Sequence, residues 1–343
     1  MADSRQQTAN RRQEAGGRRQ EAGGRLPPAA CCLPSILFLF AALLLYDSSI
    51  PAQSVKKNTS QHSGTVVMES AIKKFQTIKT IYTKVRLKYR FFGEGYTGGG
   101  DYYEKRLPMP QEPAVSSNLF SLFLKVQADS FSSSKNSSST LRIVANGSEF
   151  SKFTDIEGER RLEIVNLVKL QDILVRSQKE NGSLNQFQLD GLGITSLGGL
   201  EGTLIQMTKY YDFDSATVES SFLGSENLAV WKVSAKLKPD RLKAMIASYG
   251  GDKAVATYGG EHIPTAVCLH FGKEDLFPYQ ICYFNSVKEN PFSDPPSIEL
   301  EYRNVSINGS DIIATSIFKY DGPENVFRQD VTEDYANRIL EGN

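Results

Sequence analysis

Three histidines (His62, His262 and His270) and four cysteines (Cys31, Cys32, Cys268 and Cys282) are the whole stock of imidazole and thiol in the chain. That leaves little room for a histidine-based metal site or a Cys/His cluster. No HExxH, CxxC pair, nucleophile elbow or Walker loop occurs. Asp172, Asp190, Asp212 and Asp214 do not fall at calcium-loop spacing. Gly98-Gly99-Gly100 does not open a helix, so it lacks the context of a phosphate-cradling loop. One pair, Glu261-His262 behind Gly259-Gly260, has the types for general acid–base work. A surface-loop histidine is the plainer reading of it. His270 lies on the strand face away from Val267, Leu269 and Phe271, which is a structural position. The residues predict no catalytic centre, no metal and no cofactor.

The composition fits a folded binding protein. The chain has 343 residues, 40% hydrophobic and 23% charged, with formal net charge zero. Phosphate affinity needs surplus Lys and Arg, so nucleic acid is not an expected partner. Residues 1–52 read as export machinery rather than fold. A polar leader repeats RRQEAGG once, then comes an eleven-residue apolar run, ILFLFAALLLY at 36–46, then Ile50-Pro51-Ala52. Eleven helical residues reach about half of a bilayer's hydrocarbon core, so a cleaved secretory signal is expected, with cleavage after Ala52. An uncleaved signal anchor in the inner membrane is the alternative. Residues 1–52 hold six of the 39 basic and four of the 39 acidic residues, so the rest is nearly neutral. Six Asn-X-Ser/Thr sites (Asn58, Asn136, Asn146, Asn181, Asn304, Asn308) are what a chain rich in Ser, Gly and Asn makes by chance.

Residues 53–64 read as a flexible spacer, and 65–343 as one domain. Thr65 is expected to cap a helix over 66–80, with Val67, Met68, Ala71, Ile72, Phe75, Ile78 and Ile81 at helical steps. The period then switches to two: Val85, Leu87, Tyr89 and Phe91 alternate with Arg86, Lys88 and Arg90. A glycine turn follows at 98–100. Leu122, Leu124 and Val126 alternate next, and Asn146-Gly147 marks a hairpin. A helix is expected over 167–179 and another over 203–211. Strands follow at 216–222 and 228–237, the latter holding Trp231 as core packing. Pro239 opens a further helix, and strands are expected at 265–271, 279–284, 298–306 and 312–320. Asp330 caps a last helix. About eleven antiparallel strands with a few helices make an α+β fold. A hairpin near Glu274 sets Cys268 nearly opposite Cys282, so a cross-strand disulfide is expected after export; two separate buried thiols are the alternative.

A bent antiparallel sheet has a concave face, and apolar side chains left uncovered there make a lipid site. The order of segments resembles a known family. AIKKFQTIKTIYTKVRLKYRFFG runs into GGGDYY, then LRIVANGSEF, GLGITSLGGLEGTLIQM, VWKVSAKLKPDRL, HIPTAVCLHFGKEDLFPYQICYF and VFRQDVTEDYANRIL. Across about 65–340 the chain resembles the LolA-like superfamily of exported lipoprotein and lipid carriers, with GGLEG and FPYQI the most telling pieces. The resemblance implies an unclosed antiparallel β half-barrel wrapped around helices, non-catalytic, receiving acyl chains in the periplasm. This chain is longer than the classical carriers. The expected lining is Val85, Leu87, Tyr89, Phe91, Leu122, Leu124, Val126 and Trp231. The expected lid is Leu192, Ile194, Leu197 and Leu200, in a segment both glycine-rich and apolar. The expected partners are lipid or lipoprotein acyl chains and a membrane-bound donor or acceptor protein, the chain itself being a monomer. An envelope sensor or interaction module of the RseB kind is the competing expectation. A hydrolase using Glu261 and His262 is the third.

Overall fold

The structure, a computed structural model, describes residues 63–91, 94–108, 118–128, 138–181, 199–224, 227–248, 264–285, 290–309 and 313–341. The leader, signal segment and spacer lie outside the described residues, as do Glu261, His262, Leu192, Ile194 and Leu197.

The first described helix, α1 (Gly64–Phe75), is capped by Ser63, whose side chain accepts from the Val66 N–H. Thr65 is not the cap. Its hydroxyl instead donates to Asp214 at 2.6 Å, tying the helix start to a later strand. The helix also stops earlier than its period suggests. Ile78 and Ile81 are buried, but Ile78 sits in the turn after the helix and Ile81 in β1 (Thr80–Phe91). Apolar steps that satisfy a helix can also satisfy a turn and a strand entering one core.

From β1 the chain runs as a meander. It forms β2 (Glu94–Arg106), β3 (Asn118–Ala128), β4 (Ser138–Ala145), β5 (Glu149–Ile156) and β6 (Glu159–Asn166). Helices α2 (Leu167–Asn181) and α3 (Leu200–Tyr210) follow, then β7 (Tyr211–Leu223), β8 (Leu228–Leu237) and α4 (Pro239–Ser248). The chain closes with β9 (Ala266–Gly272), β10 (Pro278–Phe284), β11 (Ile298–Ile307), β12 (Phe327–Asp330) and α5 (Thr332–Glu341). All twelve strands join one sheet in the order β12-β6-β5-β4-β3-β2-β1-β11-β10-β9-β8-β7. β12 and β7 are its free edges, so the sheet is an unclosed half-barrel.

Three sequence expectations need correction. Gly98-Gly99-Gly100 is no turn; it lies inside β2, with Gly98 opposite Leu87 and Gly100 opposite Val85. A Cβ on Gly100 would stand 1.6 Å from the Phe123 carbonyl oxygen, and one on Gly98 2.7 Å from that of Lys125. Glycine is there because the β2 and β3 backbones approach too closely for a side chain. The strand expected at 312–320 is a 3-10 turn, Thr315–Phe318, laid across the outer face. Ile313 and Phe318 bury themselves against Leu119 and Val144, and the Arg142 guanidinium stacks 4.3 Å over Tyr320. These apolar residues cover a sheet rather than join one. Finally, β12 pairs with β6 in parallel, so the sheet is not wholly antiparallel. Its four residues, FRQD, carry no periodic signal. Asp330 does serve the last helix: its carboxylate accepts from the Thr332 N–H at 2.9 Å and from the Thr332 hydroxyl.

Helices cover the two ends of the inner face. α1 and α3 lie over β7 and β8, bringing Val67, Met68, Ala71 and Phe75 down; Phe75 stacks on Phe277 at 5.9 Å. α2 and α5 lie at the β5–β6 end, where Leu167, Leu170 and Leu174 are buried with Tyr335 and Ala336. Strands β4, β3, β2, β1, β11, β10 and β9 form the span between, and the start of α3 reaches β2 within it. No helix among the described residues is long and apolar enough to cross a membrane.

Candidate functional site

Register places the expected lining residues. On β1 the inward side chains are Ile81, Thr83, Val85, Leu87 and Tyr89, while Arg86 and Lys88 face out. The outward cations meet acids on neighbouring strands: Lys84 with Asp101 at 2.5 Å, Lys88 with Glu299 at 3.4 Å and Arg86 with Glu301 at 3.8 Å. Val85 stands opposite Gly100, which stands opposite Leu124. Leu87, Gly98 and Val126 form the next row, and Tyr102, Leu122 and Ile143 the row on the other side. Val85, Leu87, Leu122, Leu124 and Val126 therefore come together on adjoining strands. Tyr89 joins them at the strand end, its ring stacked on Tyr96 at 4.5 Å. Phe91 pairs with Glu94 through its backbone, and its side chain lies outside the described residues.

These residues divide into two kinds. Val85, Tyr89, Leu124 and Val126 are sealed, at 3–5% exposure. Leu87 and Leu122 are half-buried, as are Ile143 and the backbone at Gly98 and Gly100. The half-open positions run diagonally across the inner face: Leu87, Gly98, Gly100, Leu122, Ile143. The strip has an apolar side chain at each end and bare backbone between them. Trp231 is not part of it. Three strands separate β1 from β8, and there Trp231 packs half-buried beneath the Lys273 ammonium, 4.6 Å from its ring. Of the expected lid, Leu200 is described, and it is the buried first residue of α3.

Beside the strip lies a polar cluster that sequence reasoning missed. Tyr102, Glu104 and Arg106 follow the glycines on the inward face of β2. The Tyr102 hydroxyl donates to Glu104 Oε2 at 2.5 Å. The Leu200 N–H, at the start of α3, donates to Tyr102 Oη at 3.0 Å and to Glu104 Oε2 at 3.2 Å. Arg106 pairs with Glu201 in the same helical turn and donates to Asn118 Oδ1 at 2.9 Å and the Gln76 carbonyl at 2.8 Å. Burial pushes the Glu104 carboxyl up to about 7; the Tyr102 and Leu200 hydrogen bonds and the Arg106 charge pull it down, while Glu201 adds to the rise. The signal available in sequence was the alternation DYYEKR, which sets an acid and a base on the same face as the glycines.

A separate hollow of about 750 Å³ lies at the β5–β6 end, between the starts of α2 and α5. Charged and amide groups, among them Glu149, Asn166, Lys169, Asp172, Arg176 and Glu333, contribute to its walls, and none of the expected lining residues does. Among the described residues no three metal-ligating side chains come together.

Cys268 and Cys282 are register partners, as the hairpin reading places them, yet both are free thiols. Each is packed in an apolar cluster with Ala266, Phe284 and Phe292, and Cys268 Sγ lies 3.4 Å from the Ser234 hydroxyl. Burial raises both thiols, which suppresses the thiolate that oxidation requires. His270, on the same outer face, is pulled by burial down to about 4 and its Nδ1 has no hydrogen-bond partner among the described residues.

No protein-family model matches the chain, and no curated protein matches it. Solved structures similar to it include the following three. A DUF1329 family protein from Desulfovibrio piger is 9% identical, over 76% of this chain and 98% of that one, at a TM-score of 0.27. MucB is 6% identical, over 75% of this chain and 62% of its own, at 0.31. An outer membrane lipoprotein-sorting protein domain from Vibrio parahaemolyticus is 7% identical, over 71% of this chain and 92% of its own, at 0.26. The half-barrel architecture rests on this chain's own strand order, and the functional reading on its own residues.

Proposed function

We propose that this chain is an exported, non-catalytic carrier that takes lipid or lipoprotein acyl chains on the inner face of its half-barrel and releases them to a membrane acceptor. One observation carries the reading: the half-open apolar strip from Leu87 through Gly98 and Gly100 to Leu122 and Ile143, lying between the two helix-covered ends of the sheet. An acyl chain laid there gains about 0.8 kcal/mol per buried methylene, so affinity follows from hydrocarbon alone. Binding and release need no nucleophile or metal. Export by the N-terminal segment to a periplasm is part of the same proposal.

Native mass spectrometry of protein purified from membranes tests it, together with uptake of a fluorescent fatty acid. Co-purifying lipid and saturable uptake are expected. Delipidated protein that takes up no fatty acid, from a preparation with no lipid mass, overturns it. A second reading, a sensor or interaction module on the same fold, is favoured by the four sealed positions. It predicts capture of a membrane-anchored regulator and no lipid uptake.

A further inference from the structure

The row that carries Leu122 and Ile143 does not stop at Ile143. The register partner of Ile143 on β5 is Lys152, and that of Lys152 on β6 is Glu163. The inner face therefore passes from apolar side chains into a buried lysine, 6% exposed. A lysine stem can reach water from most sheet positions, so a buried ammonium is uncommon without an acid beside it. Here the acid is shared. Glu163 Oε2 accepts from the Lys152 ammonium at 3.1 Å, and Glu163 Oε1 lies 3.3 Å from Arg161, two residues back on the same face. The Arg161 guanidinium also donates to Gln329 Oε1 on β12. Two cations and one carboxylate leave one positive charge at the end of an apolar track. Glu159, the next acid on that face, is exposed at the hairpin end and forms no ion pair among the described residues.

We propose that Lys152 and Arg161, set in place by Glu163, form an anion seat for the phosphate or carboxylate headgroup of an acyl lipid whose tail runs over Ile143 and Leu122 toward Leu87. The proposal rests on the carrier reading of the strip and adds the class and direction of its ligand: an acidic lipid, head at β5–β6 and tail toward β1. In a partly desolvated site the surplus charge is weakly screened, so a further anion is favoured there. The seat is reachable from the free edge of the sheet. The Arg161 side chain is 49% exposed, and Phe327, its register partner on β12, is 67% exposed. On the next row Phe150 and Val165 share one core with Leu167, Leu170 and Leu174, so α2 covers that row instead.

Isothermal titration of the delipidated full chain compares lysophosphatidic acid with the monoacylglycerol of the same acyl chain, which lacks the phosphate; inorganic phosphate is the third titrant. The phosphate lipid is expected to bind at least about tenfold tighter than the neutral one, the gain of about one charge-assisted hydrogen bond. Inorganic phosphate is expected not to bind where the lipid saturates. Lys152→Met, which leaves Glu163 its Arg161 partner, is expected to bind the two lipids alike. Should that variant fail to fold, the carbon-13 signal of Lys152 Cε in the unaltered chain is the second measurement, expected to shift with the phosphate lipid and not with the neutral one. Equal affinities in the unaltered chain, a preference that survives in Lys152→Met, or a Lys152 signal that moves with neither lipid overturns the seat and leaves the carrier reading standing. Binding of neither lipid overturns both. Inorganic phosphate bound as tightly as the lipid marks a free-anion site and also overturns the proposal.

Discussion

Glu104 makes stability depend on pH. Its carboxyl in the fold lies near 7, above the 4.5 ordinary for glutamate, so the fold binds this proton more tightly than the open chain does. Its favourable contribution is complete below about 4.5 and is lost as pH rises toward about 7. Glu104→Gln is expected to match wild type near pH 4 and to exceed it by about 3 kcal/mol near pH 8, read from urea midpoints. His270 works in the opposite sense, because a histidine held near 4 opposes protonation and weakens the fold as pH falls below its usual range. The difference between variant and wild type, rather than either curve alone, therefore isolates Glu104. The two thiols give a further prediction at this scale. Cys268 and Cys282 are expected to resist alkylation in the native chain at pH 8 and to react together once it unfolds, which mass spectrometry distinguishes.

At the scale of elements, β2 decides the shape of the sheet. Its glycines let two backbones meet where a side chain would strike a carbonyl. Gly100→Ala is expected to cost about 3 kcal/mol, because the obstacle is backbone and cannot rotate aside. Gly99, whose added Cβ would find its nearest neighbour at 3.7 Å, is expected to tolerate alanine far better. Thermal unfolding of the two variants side by side checks this. The start of α1 offers a smaller effect: Ser63→Ala removes the side chain that accepts from Val66 and is expected to cost about 1 kcal/mol. Three glycines in a row looked like a turn because isolated glycines favour turns. Their role inside a strand depends on β3, which begins eighteen residues beyond Gly100, approaching from the side.

For the whole molecule, the sealed and half-open positions make opposite predictions. Leu122→Arg is expected to abolish fatty-acid uptake with little loss of stability, since a half-open position lets the guanidinium reach water. Val85→Asp, at 3% exposure, is expected to disrupt folding, because the carboxylate would be buried without a partner. If Leu122→Arg leaves uptake intact, the ligand does not lie along this strip. Alternation alone marked Val85, Leu87, Leu122, Leu124 and Val126 as inward residues. It did not separate those that the fold closes over from those it leaves accessible, because period two reports which face a residue takes and nothing about what lies above that face.

The sequence by itself determined the amphipathic start, most strands, their inward faces and the absence of recognisable catalytic motifs, since each is written in steps of two to four residues. The tertiary structure decided which parts of the inner face the helices cover and that residues 313–320 pack on the outside. It also decided that β12 joins β6 in parallel and that Glu104 meets a helix 96 residues further along the chain. The reason is the same in each case: these outcomes depend on surfaces brought together by folding over long separations, and no local period encodes which distant surface will arrive.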